Sequence, residues 1–355
     1  MTTSANDTDG VANTIWFDTQ ERRALARLDE ELARKREPRG RNWAIVLAAG
    51  DGNRLRRLTT DGSGASIPKQ FCSLRSGPSL LHEALLRAES LAPRRRICAV
   101  VAHQHERWWR ESLSSLPAAN VLVQPENRGT ALGILFALLH ILERDDLARV
   151  LVLPSDHHVS NEPALAAAMA QAVVRVRKEP SAIVLLGMPP EEPDPELGYI
   201  VPALGAADRF ASVSRFVEKP SSTEARGLIA RGALWNSLIV AAHGQALLGA
   251  IARHDPALVD AMRAAIRRSR AREPGALASL YPSLPTVDFS REVLEGREPL
   301  LRVLRVPACG WTDLGTVERV GKSLRASAPR PVLRAALEPR ATLSLERQLA
   351  HFGGA

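Results

Sequence analysis

Trp43-Ala44-Ile45-Val46-Leu47-Ala48-Ala49-Gly50-Asp51-Gly52-Asn53-Arg54-Leu55, with Ile67-Pro68-Lys69-Gln70-Phe71 a short way downstream, is the stretch on which the reading of this chain turns. The apolar run over 44–49 stops abruptly at Gly50, Asp51, Gly52 and Asn53. This pattern predicts a buried strand that runs into a turn. Glycine lacks a Cβ, so backbone N–H groups in such a turn can approach a ligand closely. Arg54 follows at once, and Lys69 stands beside Pro68. A strand, a glycine loop and two cations together suit a polyanion such as a nucleoside triphosphate. Taken alone, the same residues also describe an ordinary tight turn.

Two other phosphate-binding loops fail on spacing. A dinucleotide fingerprint requires a third glycine three positions after the second, where this chain has Leu55. A Walker A loop requires a glycine four residues before its Gly-Lys-Ser end. Gly321-Lys322-Ser323 has Thr316 at that place and no strand leading into it.

The whole chain narrows the function classes. Its 355 residues, 45% of them hydrophobic, suffice for one large domain with short appendages. No apolar stretch is long enough to cross a bilayer, so no membrane partner is expected. Residues 1–10 lack the basic and apolar regions of a signal peptide. Cys72, Cys98 and Cys309 are odd in number and widely spaced, which predicts reduced thiols and a cytoplasmic setting. The net charge of +8 invites a nucleic-acid reading. However, the basic residues are scattered, and the sparse Tyr and Phe do not alternate with them as a stacking surface would require. No nucleic-acid partner is therefore expected. Only five lysines occur, and two of them lie beside prolines, in Pro68-Lys69 and Lys219-Pro220. Arginine serves almost everywhere else, so a compact ammonium is wanted at those two places.

Asp18 with Glu21 forms a capping box, and Leu25, Leu28 and Leu32 recur at helical spacing, predicting an amphipathic helix over 19–35. Residues 1–41 are thus an N-terminal extension. From Trp43 onward, strand patterns over 44–49, 97–102, 121–124, 150–153 and 182–186 alternate with helical patterns over 80–90, 106–116, 130–144 and 164–177. This alternation predicts an α/β domain whose mostly parallel sheet is flanked by helices. Ligands bind beyond the carboxyl ends of such strands. The glycine loop, 126–130 and 155–157 all fall there. After 186 the pattern changes. Strands are expected over 198–202, 211–218, 234–241 and 300–306, with helices over 224–231, 245–272 and 316–325. The domain spans 42–327, and 328–355 is a short C-terminal tail.

Several polar residues end these elements. Asp156, in Pro154-Ser155-Asp156-His157, stands at the end of a buried strand, where it can ligate Mg²⁺ or cap the next helix. His157 and His158 have no third ligand at a spacing useful for zinc. Asp313, in Trp311-Thr312-Asp313-Leu314-Gly315, precedes a helix and admits the same two readings as Asp156. Glu218 and Lys219 end another strand, and are either contacts for a sugar phosphate or a surface ion pair. Asn236, beside Trp235, is either a reader of hydroxyls or a buried turn amide.

The order of the motifs says more than any one of them. The glycine loop with Arg54, Pro68-Lys69-Gln70-Phe71, Arg128-Gly129-Thr130-Ala131, Pro154-Ser155-Asp156-His157, Gly198-Tyr199, Phe216-Val217-Glu218-Lys219-Pro220, Trp235-Asn236-Ser237, Val287-Asp288-Phe289 and Trp311-Thr312-Asp313-Leu314-Gly315 follow one another along the chain. In this it resembles the sugar-1-phosphate nucleotidyltransferases, and among them the bacterial mannose-1-phosphate guanylyltransferases. The resemblance covers residues 43 to about 323. It implies a GT-A-like, Rossmann-like fold and a Mg²⁺-dependent reaction that joins an NTP, GTP in this family, to a sugar-1-phosphate, here mannose-1-phosphate. The products are a nucleotide-sugar and pyrophosphate. A homodimer is compatible with it.

Carried over by position, the resemblance puts Ala49, Gly50 and Gly52 along the nucleotide and Arg54 and Lys69 on its phosphates. Arg128 and Thr130 fall in the base-side loop. Asp156 and Asp313 match the metal-binding acids. Gly198, Tyr199, Glu218, Lys219, Asn236 and Asp288 match the sugar-phosphate side. The chain departs from the pattern in places. Ala49 stands where the family has a glycine, and Arg57 where it has a proline; residues 60–66 read as an insertion. Gly129 replaces an asparagine and Leu132 a proline in the base-side loop, which leaves UTP or dTTP with glucose-1-phosphate as an alternative pair. A non-catalytic sensor on the same fold is a further alternative. The isomerase region of longer relatives is absent, so a single activity is expected.

Overall fold

The run around Ile45 is the strand β1 (Asn42–Ala48). It belongs to a nine-stranded sheet with β2 (Ile97–Ala102), β3 (Val121–Gln124), β4 (Arg149–Pro154), β5 (Ile183–Met188), β6 (Tyr199–Pro202), β7 (Phe210–Val217), β8 (Leu234–His243) and β9 (Leu301–Arg305). The strand order is β3-β2-β1-β4-β8-β5-β9-β7-β6, with β8 also pairing β6. A computed structural model describes residues 40–62, 64–203, 209–271, 273–326 and 342–352. The helix expected over 19–35 and the first part of the tail lie outside the described residues.

The four strands β3-β2-β1-β4 are parallel, so their carboxyl ends share one edge. Beyond β4 the sheet is mixed. Strand β8 runs antiparallel between β4 and β5, while β5 and β9 pair in parallel. Helices α1 (Leu80–Glu89), α2 (Glu106–Ser112) and α3 (Thr130–Leu142) lie in the crossovers that join successive parallel strands, and α4 (Glu162–Lys178) lies between β4 and β5. The later helices are α5 (Ser222–Ala230), α6 (Gly244–His254), α7 (Pro256–Ala271), α8 (Ala276–Leu280), α9 (Val317–Ala326) and α10 (Leu345–Phe352).

Period-two alternation sorts each central strand onto two cores. Ile45, Cys98, Val100, Val150 and Val152 pack on the face covered by α3, α6 and α7. Ala44, Val46, Ala99, Val101, Leu151 and Leu153 pack on the face covered by α1 and α4. Helix α3 is apolar almost all round because α6 and α7 cover the side it turns away from the sheet.

A third, smaller core matters most for the site. Leu55 and Leu58 after the glycine loop, Cys72 and Leu74, Leu80 of α1, Leu314, Val320 of α9 and Leu345 of α10 pack together. Ser73 N–H donates to Leu343 O and Ser73 O accepts from Leu345 N–H, both at 2.9 Å, and Arg75 pairs with Glu346. Residues 343–349 of the expected tail therefore pack on the domain, beneath the loops that carry Arg54 and Asp313.

Candidate active site

Gly52 adopts φ +65°, and a Cβ there would meet the Lys69 backbone nitrogen at 2.9 Å. Glycine is needed twice over: for the left-handed turn and for the close approach of the 68–71 segment. Gln70 completes the clamp, donating from Nε2 to the carbonyls of Ala48 (3.0 Å) and Gly50 (2.8 Å). The glycine loop is thereby pinned to the segment that delivers Lys69. Ala49 and Gly50 lie at its solvent-facing entrance, Gly50 exposed.

Lys69 is only 4% exposed. Its Nζ lies 2.9 Å from Asp156 Oδ2 and donates to the Asp313 carbonyl at 2.5 Å. One ammonium thus joins the two acid-bearing loops. The backbone holds them too: Ser155 N–H donates to Leu47 O at 3.1 Å, and His158 and Thr312 exchange two bonds of 2.9 Å. Asp156 is half-buried. Burial works to raise its carboxyl, but the charge and hydrogen bond of Lys69, foremost among its partners, hold it below the usual range.

Asp313 is buried, and its carboxylate is occupied from within the protein. Oδ1 accepts the Gly315 N–H at 3.0 Å and pairs with Arg319, and Oδ2 lies 3.5 Å from Arg54. Arg54 is exposed and also approaches Glu196 at 3.6 Å. Arg319 reaches Asp194, and Lys322 reaches Glu191 at 2.6 Å. The acid-rich loop over 189–197 is therefore tied to the cations of the site.

These donors bear on the expected Mg²⁺. Among the described residues no group of three or more His, Cys, Asp or Glu side chains is placed to hold a metal. Mg²⁺ needs no such cage; it commonly takes one or two carboxylates and completes its shell with phosphate oxygens and water. Asp156 offers a carboxylate accessible to solvent, and Asp313 offers a second once Arg54 turns to another anion. The donor set is compatible with the ion.

In the loop expected on the base side, Arg128 pairs with Glu126 at 2.6 Å, and Thr130 opens α3. Gly129 has φ +84°, and a Cβ there would collide with the Val287 carbonyl, which leaves no room for a side chain. The neighbouring backbone is stitched to 287 by Val287 N–H to Arg128 O (3.1 Å) and Ala131 N–H to Val287 O (3.2 Å).

The sugar-side candidates gather around Glu218. Gly198 leaves space for its carboxylate, which would collide with a Cβ there. Glu218 Oε2 is buried without a hydrogen-bond partner in the described structure. Burial, with Asp288 adding to it and Lys219 and Arg291 opposing, pushes this carboxyl up to about 7. Lys219 is exposed and sits in the left-handed region at φ 51°. Asp288 caps the turn at 289–294 by accepting from Arg291 N–H at 3.1 Å.

Two candidates hydrogen-bond within the protein. Tyr199 is fully buried; its hydroxyl accepts the Asp194 N–H (2.8 Å) and donates to the Asp194 carbonyl (3.1 Å), anchoring the acidic loop. Asn236 donates to Ser290 Oγ at 3.1 Å and accepts Leu238 N–H at 3.1 Å, within the bulge where β5 and β8 slip register. Its amide thus makes two of its four possible hydrogen bonds inside the protein, where the resemblance implies a contact with the sugar.

Other residues at the site are silent in the sequence. Gln70 lies inside a quoted motif, but nothing in its type announces a clamp. Arg319 and Glu196 carry no signal, because a lone Arg or Glu is most often a surface residue. His157 reads in the sequence as half of an incomplete metal pair, and its contact with Asp156 emerges only from the fold.

The family described as nucleotidyl transferase matches residues 43–325, which contain every side chain just placed. The chain belongs to the nucleotidyl transferase family. Among relatives of this nucleotidyl transferase, the alginate biosynthesis protein AlgA of Pseudomonas syringae pv. tomato is 30% identical over 281 residues, covering 76% of this chain and 56% of AlgA. The xanthan biosynthesis protein XanB of Xanthomonas campestris pv. campestris is 34% identical over 226 residues, 62% of this chain and 46% of XanB. The chain spans about half the length of these curated relatives. A crystal structure described as mannose-1-phosphate geranyltransferase, from Thermus thermophilus, superposes with a TM-score of 0.67 at 27% identity, covering 82% of this chain and 81% of that one.

Proposed function

We propose that this nucleotidyl transferase moves a nucleotidyl group from an NTP, in the first instance GTP, to a sugar-1-phosphate, in the first instance mannose-1-phosphate, with release of pyrophosphate. The observation that carries the reading is the buried Lys69 ammonium, held between Asp156 and the Asp313 carbonyl directly behind the glycine loop. A buried ammonium between two acid loops at the carboxyl edge of a parallel sheet suits a phosphate chain better than a neutral ligand.

The triphosphate lies along Gly50 and Gly52. Arg54 leaves Glu196 and Asp313 for its oxygens, and Lys69 faces the same chain from behind. Glu218 and Lys219 hold the sugar-1-phosphate. A phosphate oxygen of that sugar attacks the α-phosphorus in line, the bond to the β-phosphate oxygen breaks, and pyrophosphate leaves. The nucleophile is already anionic, so no strong general base is required, and the residues contribute position and charge. Mg²⁺, when bound by Asp156 with Asp313, would neutralise charge on the phosphate oxygens.

An Escherichia coli relative named mannose-1-phosphate guanylyltransferase, 28% identical over 228 residues, supports GTP with mannose-1-phosphate. A second reading, UTP or dTTP in place of GTP and with it glucose-1-phosphate, rests for its base on one observation: Gly129, which lacks the asparagine side chain of the base-side loop and has no room for one. Pyrophosphate release over a grid of NTPs and sugar-1-phosphates, with and without Mg²⁺, decides. Release confined to GTP with mannose-1-phosphate supports the first pair. Release with no pair at all refutes the enzyme reading in favour of a sensor.

A further inference from the structure

We propose that Trp311 and His157 form a positioning pair that presents an N–H to Asp156 and so orients its carboxylate for a cation. This rests on the reading of Asp156 as the cation-holding acid. It concerns two residues that act through Asp156.

An indole nitrogen can only donate. Trp311 Nε1 lies 3.2 Å from His157 Nδ1, so Nδ1 must offer its lone pair. The one proton of the neutral imidazole is then on Nε2. That nitrogen faces Asp156 Oδ1 at 3.6 Å, slightly beyond a formed bond and within a small side-chain adjustment of one.

The two oxygens of Asp156 are therefore distinct. Oδ2 takes the Lys69 ammonium at 2.9 Å, while Oδ1 faces an N–H. The opposite tautomer would aim a lone pair at Oδ1 and turn the carboxylate away. Trp311 cannot readily move: it is buried, meets His157 edge-on at 5.2 Å and 86°, and lies 6.4 Å from Trp235. Arg87 holds the other end of the histidine, donating to the His157 carbonyl at 3.1 Å. Trp311 also lies two residues before Asp313. The loop carrying one acid thus sets the proton position beside the other.

The test uses the full chain. ¹⁵N spectra of histidine-labelled protein at pH 7 should show His157, assigned by its loss in His157→Gln, with its proton on Nε2. Trp311→Phe keeps a ring and removes the donor; its His157 signal should move toward a mixture of tautomers. Mn²⁺ alone, titrated and followed by electron paramagnetic resonance, should bind about tenfold more weakly to Trp311→Phe and to His157→Asn. His157→Gln places its amide nitrogen where Nε2 stood and should stay within about threefold of wild type, whereas asparagine is too short to do so. A purely structural role would penalise both amides alike, so equal losses in His157→Asn and His157→Gln would overturn the proposal. So would a wild-type ring protonated on Nδ1, or unchanged Mn²⁺ affinity in Trp311→Phe and His157→Asn. If these results appear as expected but no NTP and sugar-1-phosphate pair releases pyrophosphate, the positioning pair stands and the proposed reaction falls.

Discussion

The two halves of the site handle charge in opposite ways. Beside the glycine loop Asp156, Asp313 and Glu196 each already have a cation: Lys69 on Asp156, Arg319 and Arg54 on Asp313, Arg54 again on Glu196. Around Glu218 the acids outweigh their partners, and among the described residues one buried carboxylate oxygen has no hydrogen bond. The first arrangement suits exchange, in which cations leave internal anions for phosphates at little net cost in charge. The second suits recognition of a ligand that brings its own donors, as sugar hydroxyls do. Unpaired buried polar groups are costly, so the ligand that satisfies them gains specificity as well as affinity.

That contrast can be broken at Lys69. Lys69→Met removes the ammonium common to both acid loops and should lower kcat/KM for pyrophosphate release roughly a thousandfold. A loss under about tenfold would mean that the paired half does not depend on its central cation. Asp156→Asn should reduce kcat about a hundredfold while moving the KM for the NTP less than about threefold, because its part is confined to the transition state. Steady-state kinetics that instead show raised KM with normal kcat would assign Asp156 to ground-state binding.

The unpaired half makes a pH prediction. Glu218 is pushed up to about 7 from an ordinary 4.5. Between these values the folded chain keeps a proton that the unfolded chain has lost, so the stabilisation is complete below about 4.5 and vanishes as pH rises through 7. Glu218→Gln stays neutral throughout. The melting temperature of wild type relative to Glu218→Gln should therefore fall between about pH 5 and pH 8; a constant difference would place the carboxylate in solvent. The smallest effect belongs to Glu196. Its contact with Arg54 is exposed, and such pairs are worth at most about 1 kcal/mol. Glu196→Gln should lower the KM for the NTP by about two- to fivefold, and an increase would show that the acidic loop assists binding.

Much of this is legible in the sequence. The run over 44–49 ending in glycine, and its repetition at 97–102, 121–124 and 150–153, located the parallel strands and the edge where Lys69, Arg128 and Asp156 emerge. Periodicity reports which face of an element is buried, and motif order reported the chemistry. Neither reports partners from distant segments. Tyr199 and Asn236 match the sugar-side motifs by position, and their polar atoms also bond Asp194, Ser290 and Leu238 within the protein. The antiparallel insertion of β8 between β4 and β5 was equally hidden, because strand patterns carry no direction.

The sequence by itself determined the kinds of group available and the loops that carry them: glycines for close approach, two acids after strands, and lysines where arginine was otherwise preferred. Local periodicity and residue chemistry suffice for that. Only the tertiary structure decided which groups meet. Lys69 lies far from both Asp156 and Asp313 along the chain, and their contact depends on strand order and on the small core beneath Leu55, Leu314 and Leu345. Pairing across such distances depends on packing, and packing is a property of the whole fold.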